Sequence, residues 1–254
     1  MAPIRRCTPW RIINLALCLG GLVLWGLPLQ FTPARAAEDS NLKELAERIR
    51  VLEAKLACMG KDGDAVVFDG CNVYIRSGSG RTEGAVNGLG NLIIGYNEAL
   101  SENVKRTGSH NLVIGPDHAY SSFGGLVAGR ENTLDAPHAS ITGGRLNTVS
   151  GPVASVHGGS ANIASQELAV VAGGRSNKAE GLASSVTGGT NNTASGDFAS
   201  VTGGAENTAS GFAASVTGGT ANTARGNNAS ISGGKRRNTS EQDSWRAGNL
   251  SEID

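Results

Sequence analysis

Aromatic residues and charge are both scarce in this sequence, and each shortage excludes a class of protein. Aromatic residues make up 4% of the 254 residues and charged residues 17%, with a formal net charge of zero. So few aromatics exclude an ordinary large globular core. From Ser184 to Ser230 the only charged residues are Asp197, Glu206 and Arg225. Because nucleic-acid binding needs a basic stripe, the composition predicts no nucleic-acid partner.

Residue groupings that carry catalysis or hold metals are missing as well. The repeats contain no Gly-x-Ser-x-Gly elbow with a base, and no Cys/His pair has the spacing of a metal site. The four histidines fall at different places in their repeat units: His110, His118, His138 and His157. The turns hold Asn, Thr and Ala, whereas calcium-binding coils need aspartate. The sequence therefore predicts no enzyme activity, no cofactor and no bound metal.

Glycine, by contrast, is abundant, and it marks a repeat. The second glycine of each unit recurs every fifteen residues, at Gly129, Gly144, Gly159, Gly174, Gly189, Gly204, Gly219 and Gly234. An aliphatic column stands three residues earlier, at Leu126, Ile141, Val156, Val171, Val186, Val201, Val216 and Ile231. An asparagine column stands three residues later, at Asn132, Asn147, Asn162, Asn177, Asn192, Asn207 and Asn222. A fixed period of this length is the signature of a solenoid.

One unit is long enough for two short strands and two corners. In Ala199-Ser-Val-Thr-Gly203 small apolar residues alternate with hydroxyl residues, as in a strand with one inward face. Asn207 to Gly211 repeats the alternation, and the glycine and asparagine between the strands supply the positive φ angles of a turn. The predicted fold class is all-β, a parallel β-roll or β-solenoid with 15-residue coils over residues 121–239.

The interior of such a coil is thin. Each coil offers one Val or Ile and two Ala, whose burial contributes ~3 to 4 kcal/mol. Ordering costs about 1.5 kcal/mol per residue, so a single roll is predicted to stack against copies of itself. A heptad-spaced helix at residues 37–59, with Asn41 and Glu44 as its cap, provides a clamp. Its predicted trimer seam is Leu42, Leu45, Ile49, Leu52, Leu56 and Met59. The alternative is an amphipathic helix lying on its own domain.

Residues 1–36 have the parts of an export signal in the usual order. A basic start precedes an apolar stretch from Ile12 to Leu29, and Ala34-Arg-Ala36 forms a cleavage site. The alternative is an anchor that stays in the membrane; after cleavage no membrane span is expected. Two cysteines, Cys58 and Cys71, then remain, and an even count in an exported chain favours a disulfide. Free thiols, or a bridge between chains at Cys58, are the alternatives.

The segments on either side of the repeats are predicted to adapt its ends. In residues 60–120, Gly60 to Gly63 ends the helix, and Ala65–Phe68 and Cys71–Ile75 form a hairpin around Asp69-Gly70. Irregular first coils from Val86 to Tyr120 then seal the end of the solenoid.

At the far end, Lys235-Arg-Arg237 moves the next asparagine one place later, to Asn238. Residues 240–254 form a capping tail that lays Trp245 over the last coil, the alternative being a binding role for Trp245 or the basic triplet.

Heptads followed by Ser-Val-Thr-Gly-Gly-x-x-Asn-Thr-Ala-Ser-Gly units resemble the head domains of YadA-like trimeric autotransporter adhesins, over roughly residues 91–238. The resemblance implies a left-handed β-roll, three chains side by side, export through the inner membrane of a bacterium, and adhesion to extracellular matrix or glycan ligands. In that family the unit is close to fourteen residues, the stalk follows the head, and a C-terminal membrane anchor is present; here the unit is fifteen, the heptads come first, and we expect no such anchor.

The expected function is therefore a non-enzymatic structural or adhesive protein, secreted or at the cell surface. A flat hydroxyl face is the basis of one alternative, because Thr187, Thr202 and Thr217 recur at coil spacing as an ice-binding surface requires, although His157 and Ala172 interrupt the column. The other alternative is a trimeric fibre or spacer module that binds no ligand.

Overall fold

The computed structural model describes residues 33–100, 102, 104–248 and 250–252. Within these residues the chain forms one helix and 23 strands, in two compact units that divide between Asn72 and Val73. The predicted export signal, residues 1–36, lies outside the described residues except for its last four. The predicted fold class is confirmed at the level of the solenoid, since the second unit is a parallel β-solenoid with coils of about fifteen residues.

The first unit begins with helix α1, Pro33–Lys55, which starts and ends earlier than predicted. Asn41 is not its N-cap because the eight residues before it are helical too. Those residues are rich in alanine and begin with proline, which suits the first turn of a helix. Met59, predicted as the last seam position, is instead the first residue of a strand. The helical part of the predicted seam is Leu42, Leu45, Ile49 and Leu52.

The hairpin after α1 also differs from the predicted one. Strand β1, Met59–Asp62, pairs antiparallel with β2, Ala65–Phe68, so Gly60 lies within a strand and does not end the helix. Gly63, with a φ of 56°, opens a two-residue turn between them. The prediction of a turn at Asp69-Gly70 was wrong, because β2 takes its partner from the residues before it and residues 71–75 form no strand.

Cys58 and Cys71 are joined by a disulfide, with 6.1 Å between their Cα atoms. Cys58 immediately precedes β1, and Cys71 lies just beyond β2. The backbone N–H of Asp69 donates to the Cys58 carbonyl oxygen at 2.8 Å, which extends the strand pairing toward the bond. The disulfide therefore closes the open end of the hairpin.

The second unit contains all the remaining strands, most of them only two or three residues long. They are β3 Leu92–Ile94, β4 Leu112–Ile114, β5 Ala119–Tyr120, β6 Leu126–Ala128, β7 Thr133–Leu134, β8 Ser140–Ile141, β9 Thr148–Val149, β10 Ser155–Val156, β11 Ile163–Ala164, β12 Val170–Val171, β13 Lys178–Ala179, β14 Ser185–Val186, β15 Thr193–Ala194, β16 Ser200–Val201, β17 Thr208–Ala209, β18 Ser215–Val216, β19 Thr223–Ala224, β20 Ser230–Gly233, β21 Asn238–Thr239, β22 Trp245–Ala247 and β23 Leu250–Glu252. The first sheet holds β3, β4, the even-numbered strands from β6 to β22, and β23; the second holds the odd-numbered strands from β5 to β21.

Successive coils pair in parallel, and residues fifteen apart lie side by side. In the first sheet Ser155 pairs with Ser140 on one side and with Val170 on the other. In the second sheet Thr208 pairs with Thr193 and with Thr223. This is the two-strand coil and the register that the period predicts.

The core is a set of columns of inward side chains, one from each coil. In the first sheet the column runs Val113, Val127, Ile141, Val156, Val171, Val186, Val201, Val216 and Ile231, all at most 1% exposed. Leu126 was predicted for this column, but Val127 occupies it, since Val127 pairs with Ile141. The reason is that this coil has one residue fewer before its glycine than the coils that follow.

The first coils do not seal their end of the solenoid as predicted. β3 forms the edge of the first sheet, and its residues Leu92, Ile93 and Ile94 are all exposed, as is Tyr96. Pairing in this region departs from the fifteen-residue period, because Ile93 and Val113 pair in adjacent coils although they are twenty positions apart.

At the C-terminal end of the solenoid the last repeat keeps its register, and another residue type stands at the asparagine position. Arg237, not Asn238, takes the asparagine position, since its backbone N–H donates to Asn222 Oδ1 at 2.9 Å. β22 adds a further parallel strand and β23 turns back antiparallel to it. Trp245 does not lie over the last coil: it pairs with Ser230, and its indole N–H donates to Ser232 Oγ at 2.9 Å. The indole thus occupies the row that serine fills in the four preceding coils, at Ser185, Ser200, Ser215 and Ser230.

Candidate functional site

A column of buried asparagines joins each coil of the solenoid to the next. The backbone N–H of Asn177 donates to Oδ1 of Asn162 in the preceding coil, at 2.9 Å. The Asn177 side-chain amide donates to the carbonyl oxygens of Gly173 in its own coil (2.8 Å) and Gly189 in the next coil (3.0 Å). The same three bonds recur at Asn147, Asn162, Asn177, Asn192, Asn207 and Asn222. We call this column the asparagine ladder.

The ladder corrects the role that the sequence suggested for these asparagines. The positive φ angle of the turn belongs to the residue before each of them, such as Ser176 (54°) or Ala221 (55°). The ladder asparagines themselves are 0% exposed, and their amides are bonded on both sides. The sequence does contain a signal for the buried role: the asparagine is constant, whereas the residue before it varies. A position that only needs a positive φ angle accepts several residue types, so a constant asparagine indicates a further constraint. The ladder is therefore a structural connection and not a ligand site.

His118 replaces asparagine at the start of the ladder. It is 0% exposed, its Nδ1 accepts the backbone N–H of Asn132 at 3.2 Å, and its Nε2–H donates to the carbonyl oxygen of Ile114 at 3.0 Å. These two contacts match the oxygen and amide of a ladder asparagine. Burial lowers the pKa of His118 below its usual range, because the charged ring would lose its solvation.

We expect His118 to make the protein less stable as the pH is lowered below about 6.5. Above about pH 6.5 the ring is neutral in both the folded and the unfolded state. Below that pH the unfolded chain binds a proton at this ring and the folded chain does not, so the free energy of unfolding declines by about 1 kcal/mol per pH unit. His118→Asn keeps the ladder contacts without titrating and should flatten the dependence in urea unfolding. His157→Asn, at an exposed position, should leave it unchanged. Identical pH slopes for both variants would contradict this role.

The outer face of the first sheet carries rows of hydroxyl groups. Thr187, Thr202 and Thr217 lie exposed in three adjacent coils, as their register requires. Ser200 and Ser215 in the neighbouring row bring their Oγ atoms to 3.3 Å. His157 and Ala172 interrupt the threonine row at the earlier coils, as the sequence indicated. The surface is thus regular over only part of the solenoid.

The two corners of the coil differ in chemistry. At the corner after the second sheet, five consecutive coils each place one large apolar side chain outward: Val153, Leu168, Leu182, Phe198 and Phe212. We call these five residues the apolar corner. Four of them are about half exposed, between 48% and 53%, and the rings of Phe198 and Phe212 meet edge to face at 5.5 Å. From Arg145 to Arg236 the opposite corner carries charged, polar and small residues, with Leu146 as its one exposed large apolar side chain in that stretch.

A cavity of about 450 Å³ lies beside the loop from Tyr74 to Thr82 and is lined by Arg76, Arg81 and His110. His110 is engaged on both nitrogens, accepting the Ser77 backbone N–H at Nε2 (3.1 Å) and lying 3.1 Å from the Thr82 carbonyl oxygen at Nδ1. It therefore fixes the loop and is not free to act as a base. In the part of the chain that the structure describes, no group of three or more His, Cys, Asp or Glu residues could hold a metal ion.

The predicted trimer seam remains open in the structure. Its four helical members and also Leu56 and Met59 are exposed, each by at least 42%. Elsewhere on α1, Arg50 and Glu47 form an ion pair at 2.8 Å, which lowers the pKa of the Glu47 carboxyl. Among the described residues no helix has both the length and the apolar character needed to cross a membrane.

Comparison with known proteins does not extend this description. No protein-family model matches the chain, and no curated protein is similar to it.

Proposed function

We propose that this chain is an exported structural or adhesive protein without enzyme activity, and that three copies assemble into a rigid β-solenoid head at the cell exterior. The observation that carries the proposal is the seam of α1, where apolar side chains recur at heptad spacing and remain exposed. Exposed large apolar residues at the spacing of a coiled coil indicate a site for partner helices. The resemblance to trimeric adhesin heads favours three helices.

The solenoid itself supports a mechanical role. Every coil repeats the same parallel pairing, and the ladder asparagines are bonded to the coils on either side. Filled interior columns leave no room for a ligand between the sheets, so any ligand must bind on an outer face. The disulfide between Cys58 and Cys71 is compatible with an oxidising compartment outside the cytoplasm.

Assembly through α1 can be tested with a matched pair of aspartates. Ile49→Asp places a charge in the seam and should convert trimers to single chains, because unpaired charges are costly in an apolar interface. Val51→Asp introduces the same charge at an exposed position outside the heptad seam and should leave the trimer intact. Light scattering on residues 37–254 measures both. Equal masses for the two variants would show that the seam does not join the chains.

Export and binding need their own measurements. In a bacterial host the full chain should yield a mature protein that begins at Ala37 and lies outside the inner membrane, and retention of residues 1–36 would contradict export. A screen of the trimer against matrix proteins and glycans separates adhesion from a spacer role. Binding at the hydroxyl rows should be lost when Thr202 and Thr217 are replaced by valine, and no binding at all would favour the spacer.

An ice-binding surface is the second candidate, favoured by the exposed threonines at Thr187, Thr202 and Thr217 in register. Thermal hysteresis and ice-crystal shaping measure this activity directly. Their absence, with the trimer intact, would remove this candidate and leave the first.

A further inference from the structure

We propose that the apolar corner is a lateral interface between copies of this chain, in which the same five residues of neighbouring solenoids face each other in parallel register. This inference rests on the proposed self-association and names the surface that completes it. It depends on three observations: the backbone conformation at the corner, the spacing of the apolar side chains along the solenoid, and the apolar area of the corner compared with that of a stable interface.

Three residues at this corner have a backbone conformation that does not suit their side chains. Val153, Leu168 and Phe198 have φ angles of 58°, 60° and 60°, a left-handed conformation that branched and bulky residues rarely adopt. Further along the same corner the equivalent positions hold Asn228 and Asp243, which suit that conformation and are polar. Coils in the middle of the solenoid thus combine backbone strain with apolar exposure, although the chain uses a residue without either drawback two coils later. Contact with a partner is the physical reason that offsets both.

The pitch identifies the partner as another copy. One apolar side chain per coil recurs at the strand spacing of about 4.8 Å, over five coils. A surface with this repeat is matched along its length by a surface of the same repeat, which a second solenoid in the same register presents. The polar residues Asn227 and Asn228 end the stripe, so the contact has a defined length.

The area fits a contact that acts together with α1. The five side chains, four of them half exposed, supply roughly 400 Å² per chain, about half of the 800 Å² that each partner buries in a stable interface. The helical seam holds only four residues, which is short for an independent coiled coil. Each surface is too small alone, and the two support each other because association at one raises the effective concentration for association at the other.

The chain offers a matched control for the test. Leu168 and Leu146 are both leucines, both 48% exposed, and both have positive φ angles, of 60° and 57°, but they lie on opposite corners. Replacement by asparagine suits the backbone at either position, as Asn191 and Asn228 show, so both variants should fold at least as well as the parent chain. Circular dichroism and urea unfolding check that point.

We expect Leu168→Asn to raise the dissociation constant of the oligomer about tenfold or more, which corresponds to about 1.4 kcal/mol, while Leu146→Asn leaves it within about twofold. Sedimentation equilibrium of residues 37–254 measures both constants. Equal constants in an oligomer that still dissociates on Ile49→Asp would overturn the apolar corner and leave the proposed function standing. A parent chain that is monomeric at all concentrations would overturn both.

A cysteine pair gives an independent readout. Residues 37–254 contain only two cysteines, Cys58 and Cys71, which are bonded to each other, so Leu168→Cys in this chain adds a single free thiol. Mild oxidation should link two chains rapidly because identical residues face each other. Leu146→Cys should remain largely unlinked under the same conditions. Equal rates of linking at both positions would show that the corner is not an interface.

Discussion

Gly204→Ala is expected to lower the free energy of unfolding by about 3 to 5 kcal/mol, whereas Gly203→Ala beside it changes it by less than about 1 kcal/mol. A Cβ atom at Gly204 would lie 2.1 Å from the carbonyl oxygen of Gly219 and 2.6 Å from the ladder amide of Asn207. Gly204 also has a φ of 82°, which costs an alanine further energy. At Gly203 no atom lies within 4 Å of the added carbon.

Urea unfolding followed by circular dichroism measures this difference in the same coil with the same substitution. Because the second glycine of each unit from Gly129 to Gly219 lies against the next coil, its replacement should weaken coil-to-coil pairing and not a local turn alone. Equal destabilisation by the two alanines would contradict the close stacking of the coils at this glycine.

Asn192→Ala is the second large effect, with an expected loss of about 3 to 5 kcal/mol. The substitution leaves the buried N–H of Asn207 without its acceptor, and it removes the amide that donates to the carbonyl oxygens of Gly188 and Gly204. Unpaired polar groups inside a dry interior cost far more than a surface hydrogen bond.

The neighbouring residue supplies the control. Asn191→Ala changes the same residue type in the same coil, but at an exposed turn position with a φ of 54°. The chain itself uses alanine at the equivalent positions Ala161 and Ala221, so the expected change is about 1 kcal/mol or less. If both variants unfold at the same urea concentration, the ladder does not hold the coils together.

The period predicted the solenoid because it fixes geometry directly. Fifteen residues with two alternating stretches make two strands and two corners, and identical units can only stack in register, as Ser155 does with Ser140 and Val170. The ladder was harder to foresee. Asparagine is common in turns, and only the three-dimensional register shows that its side-chain amide points inward and connects its own coil to the next.

The structure of the irregular segments could not be predicted from the sequence for a different reason. The sequence did not predict the hairpin at Met59 because Gly60 and Gly63 both suit the end of a helix. Met59 is part of a strand because it pairs with Phe68 of β2, and this contact is not visible in the local sequence. Val127 replaces Leu126 because both are aliphatic neighbours, and a one-residue deletion decides which of them points inward. Such choices depend on contacts with other strands.

The apolar corner also became visible only with the register. In the sequence its members occupy two different positions of the unit, because successive members are 15, 14, 16 and 14 residues apart, and they form no unbroken column at the period of the repeat. Once the coils are stacked, both positions lie at one corner and the two rings touch. The candidate interface therefore follows from the fold, whereas the seam of α1 is a prediction from heptad spacing.

The mass of residues 37–254 in solution tests the central claim most directly, because a thin solenoid with an exposed seam and an exposed apolar corner should be completed by copies of itself. Sedimentation equilibrium is expected to give three times the mass of the chain, falling toward one chain on dilution of Ile49→Asp or Leu168→Asn. A stable, folded, single chain at every concentration would contradict the account.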